Sequence, residues 1–454
     1  MRKAVIFCVS ILFAVLSGCQ EKESIKINEN FETKTFKRRE QKEITYTQGK
    51  KDTFHQDSSI ESARKSKLTP FGRLKNIPKV TTNTQEEVES ALAVFKIPTP
   101  SVLDFQNRTL EMPAYPFDYE NDVAALKKLY SAHNLSSVIK KSMNEIEKLS
   151  ALMVYTNTFL DGGRVPTTEE KSNLTGPSAE VITRLRLEEG IGGSSEVYAL
   201  LFCQLSLSAG FNARVISMHM LDDSGKFLKN DICEVFLNSY DKWTAFDPYN
   251  RATYYIRNSI PLSALEIRAF MLENRYREII PMPGIGDFTE FVSIRENLLP
   301  RYQYIYMWRM NDVLGKSTPD SVLPWQALYQ NHLVWEDGYA PVSDGGFDRL
   351  DSFNNTDHPD YPLTGVHYVT HDKSEFNWSL NHSVIHISRP TEKSIRFYFD
   401  TITPNFDHFA LYVDGKQMNV KSTTDLQRIE GEYSLRSVNK FGVYGPVSNI
   451  SLVI

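Results

Sequence analysis

The sequence predicts an α+β protein: a helical segment, a run of antiparallel strands packed against it, and a small all-β sandwich at the C-terminus. Three patterns predict this. Apolar residues recur at helical spacing through "QEEVESALAVF", "YENDVAALKKLYSAH" and "VIKKSMNEIEKLSALMVYTNTFL". Three strand-like runs, "NARVISMHML", "DICEVFLNS" and "KWTAFDPY", then follow one another with turn formers between them. After about Asp372, short alternating segments separated by turns continue to the C-terminus.

A chain of 454 residues predicts two to four domains. Net charge is −5 and no block of basic residues is long enough to suggest nucleic acid or an anionic surface as the main partner. No glycine motif of the nucleotide-binding kind is present, so no cofactor is expected.

The N-terminus "MRKAVIFCVSILFAVLSGCQ" has a basic start, an apolar run from Ala4 to Leu16, and small residues after it. That is the layout of an export signal, and the run is short for a membrane span. Its end, Leu16-Ser17-Gly18-Cys19, resembles the lipobox of bacterial lipoproteins. The resemblance implies removal of residues 1–18 and acylation of Cys19, with several acyl chains giving stable anchoring where one would bind marginally. Gln20 follows, with no Asp there to suggest inner-membrane retention, which points to the outer membrane. Residues 19–67 are polar and without periodicity, as a flexible tether would be.

The first folded region is expected over 68–335. Asp161-Gly162-Gly163 ends the strongest amphipathic stretch, and Ser178 is placed to cap a short helix in "GPSAEVITRLRLEEG". "GIGGSSEVYALLF" then turns into an apolar helix that runs on through Tyr198, Ala199, Leu200 and Leu201. Helices are also expected at "PLSALEIRAFMLENRYREII" and "RENLLPRYQYIYMWRMNDVL". Residues 336–372 read as a loop-rich connector. The acidic cluster there, Asp348, Asp351, Asp357, His358 and Asp360, lacks the ordered spacing of a calcium loop and reads as solvated. Residues 373–454 read as the sandwich. Its last stretch, "EGEYSLRSVNKFGVYGPVSNISLVI", resembles the closing hairpin of fibronectin type III-like or immunoglobulin-like domains.

Glu189 to Pro248 resembles the transglutaminase-like superfamily, related to papain-type cysteine enzymes. The resemblance rests on "GGSSEVYALLF", "LSAGFNARVISMHM", "NDICEVFLN" and "KWTAFDPYN", in that order. It implies a nucleophilic Cys at a helix start, a His on a strand four residues before an acid, and an Asp before Pro. Here those positions fall on Ser195, Asn230 and Asp247. A serine hydroxyl needs a base to remove its proton, and the amide of Asn230 is not one. Two changed members of a triad cost orders of magnitude, so the expectation is a pseudoenzyme. Its cleft residues would bind a peptide, glycan or protein partner of the envelope, or simply fill space.

The competing expectation is a serine-dependent hydrolase or acyltransferase. It would need His219 to enter from the adjacent strand or Glu196 to serve as base; Ser194 as the reactive group would still lack a base. Cys203 and Cys233 are expected in the core as small hydrophobes, with pairing as the alternative. Four cysteines without close spacing also argue against a zinc site.

Overall fold

The computed structural model describes residues 84–93, 101–107, 110, 113, 117–165, 167, 178–221, 227–255, 260–283, 304–311, 332–335, 368–370, 372–391, 394–426 and 430–453. The chain divides into Met1–Ile77 and Pro78–Ile454, and all described residues belong to the second unit. The signal, Cys19, the tether and the acidic cluster at 348–360 therefore lie outside the described residues.

The fold is α+β, as the pattern predicts. The helical layer comprises α2 (Val123–Ala132), α3 (Leu135–Val138), α4 (Glu145–Leu160), α5 (Ala179–Glu189) and α6 (Ser195–Ser208). Local signals set the ends. Asn144 and Glu147 form a reciprocal capping box at the start of α4. Ser178 caps α5 through Val181 N–H, and Gly190 ends that helix at φ +68°. Helix α6 is buried on every side from Glu196 to Ser208, which explains an apolar run without an amphipathic stripe.

Helix α6 lies against a sheet with strand order β6-β5-β4-β3-β2-β7-β8-β9. Its centre is the predicted trio, β2 (Ala213–Leu221), β3 (Phe227–Leu237) and β4 (Lys242–Asp247). The sheet is wider than three strands. It adds β5 (Ala252–Tyr255), β6 (Ile280–Pro283), β7 (Tyr304–Trp308), β8 (His332–Trp335) and β9 (Tyr368–Thr370). All pairs are antiparallel except β8 with β9. The helix expected over "RENLLPRYQYIYMWRMNDVL" is corrected at its centre. Tyr304–Trp308 is a strand, because alternate residues there face the two sides of the sheet.

Side-chain alternation divides the sheet into two faces. Val215, Cys233, Val235 and Phe246 face α6. Ile216, Ile232, Phe236, Trp243 and Ala245 face the opposite side, covered by α7 (Ala264–Leu272) and by Phe376, Trp378 and Leu380.

The β-rich layer pairs a five-stranded sheet, β1-β16-β15-β12-β13, with a three-stranded one, β10-β11-β14. Their ranges are β10 (Ser383–Thr391), β11 (Ser394–Thr401), β12 (Phe406–Val413), β13 (Lys416–Val420), β14 (Thr423–Leu426), β15 (Gly431–Asn439) and β16 (Ser448–Val453). Ile385, Phe397 and Phe399 meet Phe409, Tyr433 and Leu435 in one core. Two segments from before the helical layer join this core. Helix α1 (Gln85–Leu92) contributes Val88 and Leu92 to this core, and β1 (Ser101–Gln106) pairs with β16 from Ser101–Val453 to Gln106–Asn449.

The two layers are joined by amides. Asn381 accepts from Asn212 and donates to Asn238, each at 2.8 Å. Asn439 donates to the Gly210 carbonyl at 2.8 Å. Gly210 has φ +89°, and a Cβ there would lie 2.7 Å from Phe441 Cβ. Deeper in, the Arg214 guanidinium is fully buried. Its Nε and Nη2 donate to Glu234 Oε2 at 2.9 and 2.6 Å, and Nη2 also donates to the Phe376 carbonyl. The rings of Trp243 and Trp378 lie 4.0 and 4.7 Å from it. Glu234 Oε1 accepts the Ala264 N–H at the start of α7. One buried ion pair thus ties β2, β3, α7 and the segment leading into the β-rich layer.

Candidate functional site

The turn that opens α6 is built by backbone crossing backbone. A Cβ on Gly193 would lie 2.6 Å from the Gly163 carbonyl, and one on Gly163 would lie 2.7 Å from Gly192. The Gly192 and Gly193 N–H groups both donate to the Arg164 carbonyl, at 2.9 and 3.1 Å. These glycines therefore serve close packing, and their N–H groups are engaged rather than aimed at a ligand. Ser194 is the N-cap of α6 but makes no side-chain capping bond. Its Oγ is buried and, among the described residues, has no hydrogen-bond partner.

Ser195 is half-buried, and its Oγ accepts the backbone N–H of Asp231 at 3.2 Å. The sheet explains why that N–H is free to reach it. The Ala245 N–H bonds to Leu262, away from β3, and the Phe236 N–H bonds on the β2 side to Asn212. By alternation, the N–H groups of Cys233 and Val235 point toward β4, and so does that of Asp231. The β3–β4 pairing begins only at Cys233–Phe246, because the chain turns away after Asp247 at Pro248. Ser195 Oγ takes the place of the missing ladder acceptor.

Asn230 and Asp247 are brought together on the opposite face. Asn230 Nδ2 donates to Asp247 Oδ2 at 3.1 Å. Three more donors close the carboxylate: Asn250 N–H at 3.1 Å, Asn250 Nδ2 at 2.9 Å and Tyr254 Oη at 3.2 Å. Asn230 is 3% exposed and Asp247 0%. Burial pushes the Asp247 carboxyl above the usual carboxylate range, with its four donors offsetting part of the rise.

Side-chain parity separates the serine from this pair. Asp231 shares the α6 face with Cys233 and Val235, while Asn230 shares the other face with Ile232. Among the described residues, no hydrogen bond joins Ser195 to Asn230 or Asp247. The residue that adjoins Ser195 is Asp231, which sequence reasoning did not select. Asp231 is 0% exposed, and its Oδ1 accepts from Ser217 Oγ, which in turn accepts from Trp308 Nε1 at 2.9 Å. The period-two pattern Asp231, Cys233, Val235 was the available signal, since it marks the side chains facing the apolar helix.

The other candidates are placed as follows. Glu196 is 3% exposed in the first turn of α6. His219 is on β2, and its side chain lies outside the described residues. Cys203 on α6 and Cys233 on β3 are free thiols in the same core, where burial and then the neighbouring Cys203 push the Cys233 thiol up. Among the described residues, no group of three or more His, Cys, Asp or Glu is disposed to hold a metal. No described helix is long and apolar enough to cross a membrane.

Comparison of the chain with known protein families, with curated proteins and with solved structures returned no match.

Proposed function

We propose that this chain is a lipid-anchored cell-envelope protein whose transglutaminase-like region is non-catalytic and serves as a binding or scaffolding module. The proposed partners are envelope peptides, glycans or proteins. The lipobox-like Leu16-Ser17-Gly18-Cys19 supports the anchor. The hairpin of β15 and β16 is in keeping with a fibronectin type III-like module, an architecture that presents loops and strand edges to partners.

One observation carries the non-catalytic reading. The carboxylate at the retained family position, Asp247, is enclosed by four donors on the sheet face opposite Ser195. A triad carboxylate works by orienting a base toward the nucleophile. Here the group it holds is an amide, Asn230. Ser195 Oγ, for its part, completes a β-ladder.

The test compares the full-length chain with Ser195→Ala for turnover of glutamine-amide, peptide and ester substrates. Equal background rates are expected. Turnover that disappears in Ser195→Ala would make the serine a nucleophile and overturn the reading. The anchor is tested separately by fractionation: Cys19→Ser is expected in the soluble fraction, and continued membrane retention of that variant would overturn acylation at Cys19.

A further inference from the structure

The turn between β4 and β5 is held from below and strained on top. Asp247 binds Asn250 through both its N–H and its Nδ2, at 3.1 and 2.9 Å. Asn157 on α4 donates to the Pro248 carbonyl at 3.0 Å. At the end of the turn Arg251 has φ +55°, the left-handed region that favours glycine. A long β-carbon-bearing residue kept in that region is an outlier that invites a functional explanation.

What the turn displays supplies one. Tyr249 is 45% exposed, the largest hydrophobic side chain the turn leaves in solvent. Its ring stands edge-to-face on Tyr198 of α6, with centroids 5.2 Å apart at 87°, so its orientation is set. Arg251 and Arg186 both lie in the electrostatic surroundings of the Tyr198 hydroxyl. Arg186 is anchored by the Phe159 and Asp161 carbonyls, at 3.0 and 2.7 Å. The Arg251 side chain is 30% exposed, and among the described residues the acid paired with it is Asp161, which is 68% exposed and only reaches 4.0 Å. Solvent screening makes such a pair weak. The Arg251 guanidinium is left available for a better carboxylate.

The geometry points to a surface subsite for an acidic sugar residue, with the Tyr249 ring stacking on the sugar and Arg251 holding its carboxylate. This rests on the non-catalytic binding reading above and names a ligand class for it. A fixed aromatic ring offers its negative face to the C–H groups of a pyranose, and a guanidinium pairs with a carboxylate in two parallel bonds. On this account Asp247 anchors the turn that carries the binding groups.

The experiment titrates the full-length chain, purified in detergent, with oligogalacturonate and alginate oligomers, and with neutral galacto-oligosaccharides of matched length. Acidic oligomers are expected to bind about tenfold more tightly than neutral ones, and Tyr249→Ala to weaken them by about tenfold. Arg251→Gly suits the left-handed backbone and is expected to erase the preference for acid while the urea midpoint holds. Absence of binding to every acidic oligomer, or equal affinities in the parent and both variants, overturns the subsite. A Tyr249→Ala sample counts only with a parental urea midpoint, and Tyr249→Phe serves in its place otherwise, with binding expected to be kept. Release of reducing ends is measured in the same samples. Release that Ser195→Ala abolishes would sink the non-catalytic reading alone, since the affinities of the Tyr249 and Arg251 variants still decide the subsite.

Discussion

Replacing Asp247 separates a structural carboxylate from a catalytic one. Asp247→Ala removes the acceptor of four hydrogen bonds. Two of the donors, Asn230 Nδ2 and Tyr254 Oη, belong to side chains 3% and 0% exposed and have no route to water. Each buried donor left unsatisfied costs about 1–3 kcal/mol, so these two together cost about 2–6 kcal/mol. The Asn250 groups are only part-buried and regain water at little cost. Removing a carboxylate whose ionised form is disfavoured by burial returns part of the loss, leaving a net destabilisation of about 1–4 kcal/mol. Urea unfolding followed by fluorescence of the buried Trp243, Trp308 and Trp378 reads this as a lowered midpoint at constant slope. Asp247→Asn keeps one acceptor oxygen and is expected to fall between parent and Asp247→Ala. A carboxylate kept for catalysis is commonly held at a cost to stability, so its removal leaves the midpoint unchanged or raises it. That result would refute the structural account of Asp247.

Two further outcomes follow from the buried charges. Glu234→Ala leaves the fully buried Arg214 guanidinium without its carboxylate and frees the Ala264 N–H, so a loss of about 3–5 kcal/mol is expected by urea unfolding; a loss under about 1 kcal/mol would contradict the role of this pair as the tie between layers. Burial disfavours the charged form of His133 and lowers its pKa below the usual histidine range, and its ring nitrogens meet Tyr155 Oη and Thr183 Oγ1, each at 3.0 Å. The unfolded state binds the proton more readily, so the His133 contribution is complete above about pH 6.5 and lost as pH falls below it. The drop in urea midpoint across that range is expected to shrink in His133→Gln; an identical drop would assign it to other groups.

Much of the fold was legible because local patterns carry it. The period-two runs at Ala213–Leu221, Phe227–Leu237 and Lys242–Asp247 became the sheet centre, and the apolar run after Ser195 became the enclosed helix. Caps such as Ser178 and the stop at Gly190 are local chemistry and were readable as such. The strand at Tyr304–Trp308 was not, since an aromatic run of that length packs equally well in a helix or a strand until its partners are known. Ser101–Gln106 joins a strand at the far end of the chain, and no pattern within six residues names a partner so distant.

The candidate site divides the same way. The sequence by itself determined the residue types, a serine at 195, an asparagine at 230 and an aspartate at 247, with no imidazole among them. Only the tertiary structure decided where those residues point. Along a strand, one residue's difference sends a side chain to the other face, so Asn230 turns to Asp247 while its neighbour Asp231 adjoins Ser195. Whether a polar group meets water, a partner or a ladder end depends on which element covers it, and that is set by contacts between segments far apart in the chain.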